Sequence, residues 1–283
     1  MQLQSKEMIP QKGFTHGGKF HADDVFSTAL LRLINPKFKV KRGFEVPEDF
    51  DGIVYDIGMG RFDHHQQDKE IRENGIPYAA FGLLWREYGS IFLEEEGRAE
   101  FDKKFVQKID ESDNTGSENA LSEAINSFNP SWDSEESFDQ KFEEAVDIAE
   151  KILLQYIEKT KGEERAAEVV QKAMQRSDGI ILELPLFAPW KKQVVGSSYQ
   201  FVVYPSKRGG YCAQGVPVSE EDRTLVCDVP EEWCGLAGEE LQRVSGVPEA
   251  QFCHATGFLM AADNKEAAIK MAELAIQYRR GAA

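Results

Sequence analysis

Arg61-Phe62-Asp63-His64-His65-Gln66 is the stretch around which the chain is organised. The 283 residues contain only five histidines, and two of them stand side by side here. Consecutive polar and ionisable groups are poor core material, because they cannot all be desolvated cheaply. Imidazole beside carboxylate is good metal-ligand material. A solvated turn explains an isolated Asp-His-His equally well, so the decision falls to the flanking segments.

Immediately upstream, Gly52-Ile53-Val54-Tyr55-Asp56-Ile57-Gly58 reads as a short buried strand ending in an acid and a glycine. In open α/β sheets, the carboxyl ends of strands line the active-site crevice. Nearer the start of the chain, Lys12 to Thr15 reads as a strand running into His16-Gly17-Gly18. His21-Ala22-Asp23-Asp24 then precedes VFSTALLRLI, whose apolar residues recur at helical spacing. One aspartate there is accounted for as a helix cap. His16, His21 and a second aspartate are not. Phe38 to Phe44 reads as a strand with Phe38, Val40 and Phe44 on one side and lysines on the other.

Downstream, a helix is expected over Ile76–Tyr88 and another from about Ala99 to Ile109. The second ends in the acidic run Asp110-Glu111-Ser112-Asp113, closed by Asn114-Thr115-Gly116. Acids at a helix C-terminus oppose the helix dipole and call for a cation. From Ser134 to Arg176 the pattern is one long helix, or a kinked pair near Gly162. Beyond it come a strand at Ile180–Leu184 and a hairpin around Pro205-Ser206-Lys207-Arg208-Gly209-Gly210. A short helix over Leu236–Val244, a strand region over Phe252–Phe258 and a closing helix over Asn264–Tyr278 follow. The change of pattern places a domain boundary near Ser177–Gly179, giving an α/β region over 1–178 and a smaller α+β region over 179–283.

Apolar residues make up 41% and charged residues 29%, which suits a soluble globular protein with a sizeable core. A net charge of −16 argues against a broad basic surface for long duplex nucleic acid. A small basic pocket for a short phosphorylated substrate remains compatible with it. The opening MQLQSKEMIPQKGF has no continuous apolar stretch, and no apolar run approaches bilayer length. Neither a secretory leader nor a membrane span is expected. The four cysteines, Cys212, Cys227, Cys234 and Cys253, have irregular spacing and read as reduced thiols of a cytoplasmic protein. A homodimer is allowed by the sequence and not required by it.

Four segments therefore offer ligands: His16, His21 and Asp23; Asp56; Asp63, His64 and His65; Asp110 and Asp113. Mixed carboxylate and imidazole donors without thiolate favour Mn2+, with Mg2+, Co2+, Fe2+ and Zn2+ as alternatives. Two metals sharing a carboxylate clamp phosphoryl oxygens and activate water. The fifth histidine, His254, with Lys207, Arg208 and Arg223, offers groups that would hold a phosphate.

The segments THGGKFHADD, VYDIG, RFDHHQ, IDESDNTG, Asn129-Pro130-Ser131-Trp132 and VSGVPEAQFCHATGF resemble the DHH phosphoesterase superfamily, and within it the melanocyte-proliferating-gene family of metal-dependent hydrolases. The resemblance runs from residue 15 to 258. It implies a DHH-type catalytic domain over 1–178 with a mostly parallel sheet flanked by helices. It also implies a substrate-binding α+β domain over 179–283 and an active site in the cleft between them. By position it implies that His16, His21 and Asp56 hold one metal. Asp23, Asp56, His64 and Asp113 or Asp110 would hold the other, with Asp113 favoured by the turn that follows it. Asp63 would orient the imidazoles, His65 would face the water or the phosphate, and His254 with Gly257 would contact substrate. His21 stands where the superfamily's usual first motif has an aspartate, a change the resembling branch shares. The implied activity is a phosphodiesterase or exonuclease acting on RNA or short oligonucleotides. The alternatives are a small-molecule phosphatase, pyrophosphatase or nucleotide phosphatase, and a non-catalytic module stabilised by metal.

Overall fold

The structure, a computed structural model, describes residues 9–282. Residues 1–8, part of the stretch read for a leader, lie outside the described residues. The chain divides into two compact units, 1–161 and 162–283. Among the described residues, no helix is long and apolar enough to cross a membrane.

The first unit opens with β1 (Lys12–His16), α1 (Ala22–Ile34), β2 (Lys39–Gly43) and β3 (Ile53–Val54). The three strands form a parallel sheet in the order β2-β1-β3. Their common direction puts the ends of β1 and β3, and so His16 and Asp56, at one edge. Gly13 lets β1 lie under the Phe38 ring, with which a Cβ would collide. Phe44, expected to share a face with Phe38 and Val40, is instead 81% exposed, because the strand has ended at Gly43.

The α1 helix is buried on every side but one, with Val25, Phe26, Ala29, Leu30 and Leu31 fully enclosed. It packs against α2 (Ala80–Tyr88), α4 (Gln107–Thr115) and α5 (Ala120–Asn126). Between α2 and α4 lies α3 (Glu95–Phe101), which continues into α4 through a π-helical turn over Asp102–Val106. The helix expected to stop at Ile109 therefore runs on to Thr115 and ends where Gly116 turns left-handed at φ 71°. The acidic run is helical, which puts Asp110 and Asp113 one turn apart on one face. Phe26, Phe81 and Phe105 meet in edge-to-face and tilted contacts at the centre of this core. The long pattern forms one helix, α6 (Phe138–Met174), with no break at Gly162.

The second unit begins within α6, earlier than the change in sequence pattern at 177–179. Ala166 and Val170 of that helix belong to the same apolar cluster as Leu182 and Val202. After β4 (Ile181–Glu183) come α7 (Lys191–Val194), the hairpin β5 (Phe201–Pro205) and β6 (Tyr211–Gly215), and α8 (Gly238–Ser245). The chain ends in β7 (Ala250–Cys253), β8 (Leu259–Ala262) and α9 (Lys265–Ala282). The five strands form a mixed sheet in the order β4-β5-β6-β8-β7. Phe252–Phe258, expected as one strand region, is the end of β7 and a tight turn into β8.

Candidate metal centre

The sheet edge and three helices of the first unit enclose an open cavity of about 790 Å3. His16, His21, Asp56, Asp63, His64, His65 and Asp113 all line it. Asp56 stands at its centre. One carboxylate oxygen lies 3.3 Å from His16 Nε2, and the other 3.0 Å from His64 Nε2. His64 Nε2 is also 3.3 Å from Asp113 Oδ2. Two donor groups, His16-Asp24-Asp56 and Asp23-His64-Asp113, each have ligand atoms within 4.8 Å of one another. A third, Asp56-His64-His65, joins them through Asp56 and His64.

Local structure sets each donor. Asp56 leaves β3 at φ 56°, a left-handed conformation for a non-glycine residue, and Met59 follows at φ 57°. The loop they shape returns to the strand, where Asp56 N–H donates to Phe62 C=O. Asp63 accepts from Met59 N–H at 2.6 Å and from His65 N–H at 3.1 Å. Its Oδ1 lies 2.6 Å from His65 Nδ1. The neighbouring histidine rings, 4.4 Å apart, therefore diverge in role: His64 is buried against Asp56, whereas the His65 side chain is 58% exposed.

Asp23 is fully buried and accepts from Ala80 and Phe81 N–H, so it caps α2 from a distance of 57 residues in sequence. Asp24 accepts from His21 N–H and so caps its own helix. Its other oxygen lies 3.2 Å from His16 Nε2 but has no well-formed hydrogen bond and no exposure. The sequence pointed to Asp23 as a ligand and left Asp24 as a cap; the structure places both carboxylates in donor groups. The His21 ring lies 6.0 Å from that of His16, and its atoms join neither group.

Asp110 is placed differently from Asp113. Its carboxylate receives Arg72 Nη2 at 2.7 Å and Gly82 N–H at 3.1 Å. Arg72 also grips Asp102 with two bonds and lies over the Tyr78 ring. This buried network holds α4 against α2. Asn114, next to Asp113, donates to Tyr78 and Asp110 C=O and has its Oδ1 beside His64 Nδ1. Asn129 accepts from Phe20 N–H and donates to Phe20 C=O, pinning the loop between His16 and His21. The sequence offered Asn114 only as part of the turn after Asp113, and no signal marked Arg72; the contacts to His64 and Asp110 that matter here come from partners distant in the chain.

The electrostatics are those of a cation site. Burial works against charge on Asp56, yet His16 and His64 prevail and pull its pKa down to about 2. Burial likewise opposes a charged His16, but Asp24 and Asp56 hold its pKa at about 10. His64 is raised in the same way by Asp56 and Asp113. Burial, and then the charge of Asp56, push Asp23 and Asp113 upward. Burial raises Asp110 to about 7 against the pull of Arg72. Four acids converge on His16 and His64, and a buried Asp24 oxygen lacks a donor. A divalent cation fits this donor set.

The residues expected to bind substrate lie in the second unit. His254 closes the turn after β7: its Nδ1 accepts from Thr256 N–H, and Gly257, at φ 69°, donates to its carbonyl. The imidazole is half-buried between Phe252 and Phe258. Lys207 and Arg208 sit exposed in the β5–β6 turn, next to Tyr211, which pairs with Ala262. Gln214, at the far end of β6, pairs with Leu259. The basic turn and His254 therefore occupy opposite ends of the sheet, and the structure does not bring them together. Arg223 lies in the loop leaving β6 at the His254 end, where Pro217 bridges Leu225.

The family described as "Uncharacterised protein family (UPF0160)", that of MYG1 exonuclease, matches residues 13–276. The chain is 28% identical to the MYG1 exonuclease of Homo sapiens, over 97% of this chain and 88% of that protein. It is 28% identical to the MYG1 protein YER156C of Saccharomyces cerevisiae, over 93% and 94%. It is 30% identical to an MYG1 protein of Chlamydia pneumoniae, over 96% and 98%. No solved structure matches the chain. With the family match covering nearly its whole length, the chain belongs to the MYG1 family (UPF0160).

Proposed function

We propose that this protein is a divalent-metal-dependent phosphoester hydrolase of the DHH type, acting on RNA or short oligonucleotides. The observation that carries the reading is Asp56, whose two oxygens face His16 on one side and His64 on the other. A carboxylate so placed suits two cations that share it. Mn2+ suits the donors, and Mg2+, Co2+, Fe2+ and Zn2+ are the alternatives. His16, Asp24 and Asp56 would hold one cation, with His21 beside them. Asp23, Asp56, His64 and Asp113 would hold the other. Bound there, the metals would supply charge neutralisation for phosphoryl oxygens and acidification of water.

The chain's own residues do the rest. Asp63 is kept ionised by its donors, although burial opposes this. It fixes the proton of His65 on Nδ1 and leaves Nε2 free to accept a proton or to donate to a phosphoryl oxygen. Asn114 steadies His64 from the opposite ring nitrogen. Lys19 and Lys69 line the cavity as further cations for a phosphate. In the second unit His254, Gly257 and Arg223 are the substrate contacts we retain; Lys207 and Arg208, at the other sheet end, are not. A reducing, cytoplasmic setting is part of the reading, in keeping with the free thiols of Cys212, Cys234 and Cys253.

The net charge of −16 favours a second reading, a small-molecule phosphatase or pyrophosphatase. Purified protein with Mn2+, assayed on a short RNA, pyrophosphate and a nucleoside bisphosphate, separates the two. Turnover of RNA alone supports the first reading and of pyrophosphate alone the second. No turnover of any substrate by protein that holds metal rejects both.

A further inference from the structure

In a chain of charge −16, the edge strand β2 is basic. Lys39 and Lys41 alternate along it on one face, Lys37 precedes them, and all three are exposed. None has an ion-pair partner among the described residues. Acids return only beyond the strand, at Glu45, Glu48, Asp49 and Asp51. Because β2 runs parallel to β1, with Gly43 opposite His16, the basic row points at the metal centre. Lysines two residues apart on a strand are spaced about 6.6 Å, a separation that successive phosphates of an extended single strand can match.

Two exposed aromatic rings stand where the row ends. Phe44, 81% exposed, lies against Gly18, and Trp132 is 96% exposed. Trp132 follows Asn129, which is clamped to Phe20, by three residues, so it lies within about 10 Å of that clamp. Gly18 and Phe20 belong to the loop that joins His16 to His21, and that loop also carries Lys19 into the cavity. Singly exposed apolar residues are common, but two aromatic rings this exposed beside one loop offer a surface that a planar base can cover. Charged rails with aromatic platforms are how proteins hold single-stranded nucleic acid without reading its sequence.

We infer that Lys37, Lys39 and Lys41, with Phe44 and Trp132 as base-stacking platforms, form a track that feeds a single-stranded oligonucleotide into the metal centre. The inference rests on the proposed phosphoester chemistry and gives it a polymeric, base-bearing substrate. Single-stranded chains suit a narrow row of lysines, whereas a duplex would need a wider basic face.

The probe is a fluorescein-labelled single-stranded oligoribonucleotide, bound in Ca2+ and titrated across a salt series. The charge-neutralised variant K37Q/K39Q/K41Q should bind about tenfold or more weakly at low salt. Its slope of log affinity against log salt should be flatter by about 2, since each phosphate that a lysine neutralises on a single strand adds about 0.7. Hydrolysis of bis(p-nitrophenyl) phosphate, which carries no nucleobase, should stay within about twofold in the same variant. Trp132→Phe should retain binding and Trp132→Ala should weaken it with the salt slope unchanged, since stacking is not a charge contact.

The other tryptophans, Trp85, Trp190 and Trp233, are buried. Quenching of intrinsic fluorescence by the oligonucleotide should therefore report Trp132 and vanish in Trp132→Phe. Unchanged affinity and slope in the lysine variant, or an equal loss on both substrates, would overturn the track. Concentration-dependent self-association abolished by Trp132→Ala would make the aromatic patch a contact between copies and overturn its role in stacking. Oligonucleotide binding with the expected slope but no hydrolysis of any phosphoester would instead sink the proposed chemistry and leave the track standing.

Discussion

Asp56 combines a buried carboxylate with a left-handed backbone, and the two properties can be separated by substitution. Asparagine tolerates that conformation better than most residues. Asp56→Asn is therefore expected to keep the fold while losing the anion that both histidines face. Elemental analysis should find metal reduced to background, with the far-UV circular dichroism of the metal-free protein that of the parent and its melting temperature lowered by the lost ion pairs. Metal retained at the parent level would remove Asp56 from the centre.

His64→Ala should likewise lose metal, because that ring is enclosed by Asp56, Asp113 and Asn114. His65→Ala should keep metal and slow turnover by about 10²-fold or more, the usual scale for a positioned proton-transfer group. Equal loss of metal from both variants would reject this division. The doublet was conspicuous in the sequence because two adjacent histidines are rare. Its division of labour was not, because it depends on Asp113 and Asn114, which lie about fifty residues away and converge only in the fold.

The same residues set a pH dependence. In the metal-free protein, His16 has its pKa raised to about 10, and His64 is raised too. Their stabilising ion pairs are complete below the ordinary histidine value and are lost as pH rises through the folded one. Asp56, lowered to about 2, contributes stability above the ordinary aspartate value and loses it as pH falls through about 2. At neutral pH the metal-free protein would therefore hold protons on imidazole that a bound metal would have to displace. Affinity for Mn2+ should rise with pH between 6 and 9, by about tenfold per unit for each proton released. Calorimetry in two buffers of different ionisation enthalpy should count that release. Zero protons at pH 7 would contradict the ion-paired geometry.

At the scale of elements, α2 and α4 approach as closely as a glycine permits. A Cβ on Gly82 would collide with Asp110 Oδ2 and crowd Arg72. Gly82→Ala should cost about 1–3 kcal/mol by overpacking, read as a lower midpoint in urea. Because Asp113 rides one turn beyond Asp110, metal affinity should fall with it. A stability loss with unchanged affinity would detach the Arg72 network from the centre. Asn129→Ala removes three hydrogen bonds, to Phe20 and Asn126, and should loosen the loop that bears His16 and His21. Strands and helices were legible from the sequence wherever apolar spacing was regular, as in α1 and the β5–β6 hairpin. The end of α4 was not, because its acids read as a loop and the π-helical turn before it leaves no mark in composition. The β7–β8 turn was hidden by Phe252 and Phe258, which flank the His254 ring rather than fill a core.

For the whole molecule, the candidate metal centre concentrates like charge inside the first unit. Asp23, Asp24, Asp56 and Asp110 are all buried there, and burial disfavours every charged carboxylate. A ligand that binds the folded state alone stabilises it by about 2.7 kcal/mol at a hundredfold excess over its Kd. Mn2+ should therefore act on the unit whose parts it joins: β1, α1, the 56–65 loop and α4. These segments are separated in sequence by up to a hundred residues and share no single element, so two cations that share Asp56 would together restrain the entire unit. In hydrogen exchange followed by mass spectrometry, chelation should accelerate exchange across these four segments together. Residues 181–282, which contribute no donor to the centre, should exchange at unchanged rates. If chelation instead loosened only the 56–65 loop, the donors from β1, α1 and α4 would not be ligands. The centre would then reduce to the Asp-His-His turn that the sequence displayed at the outset.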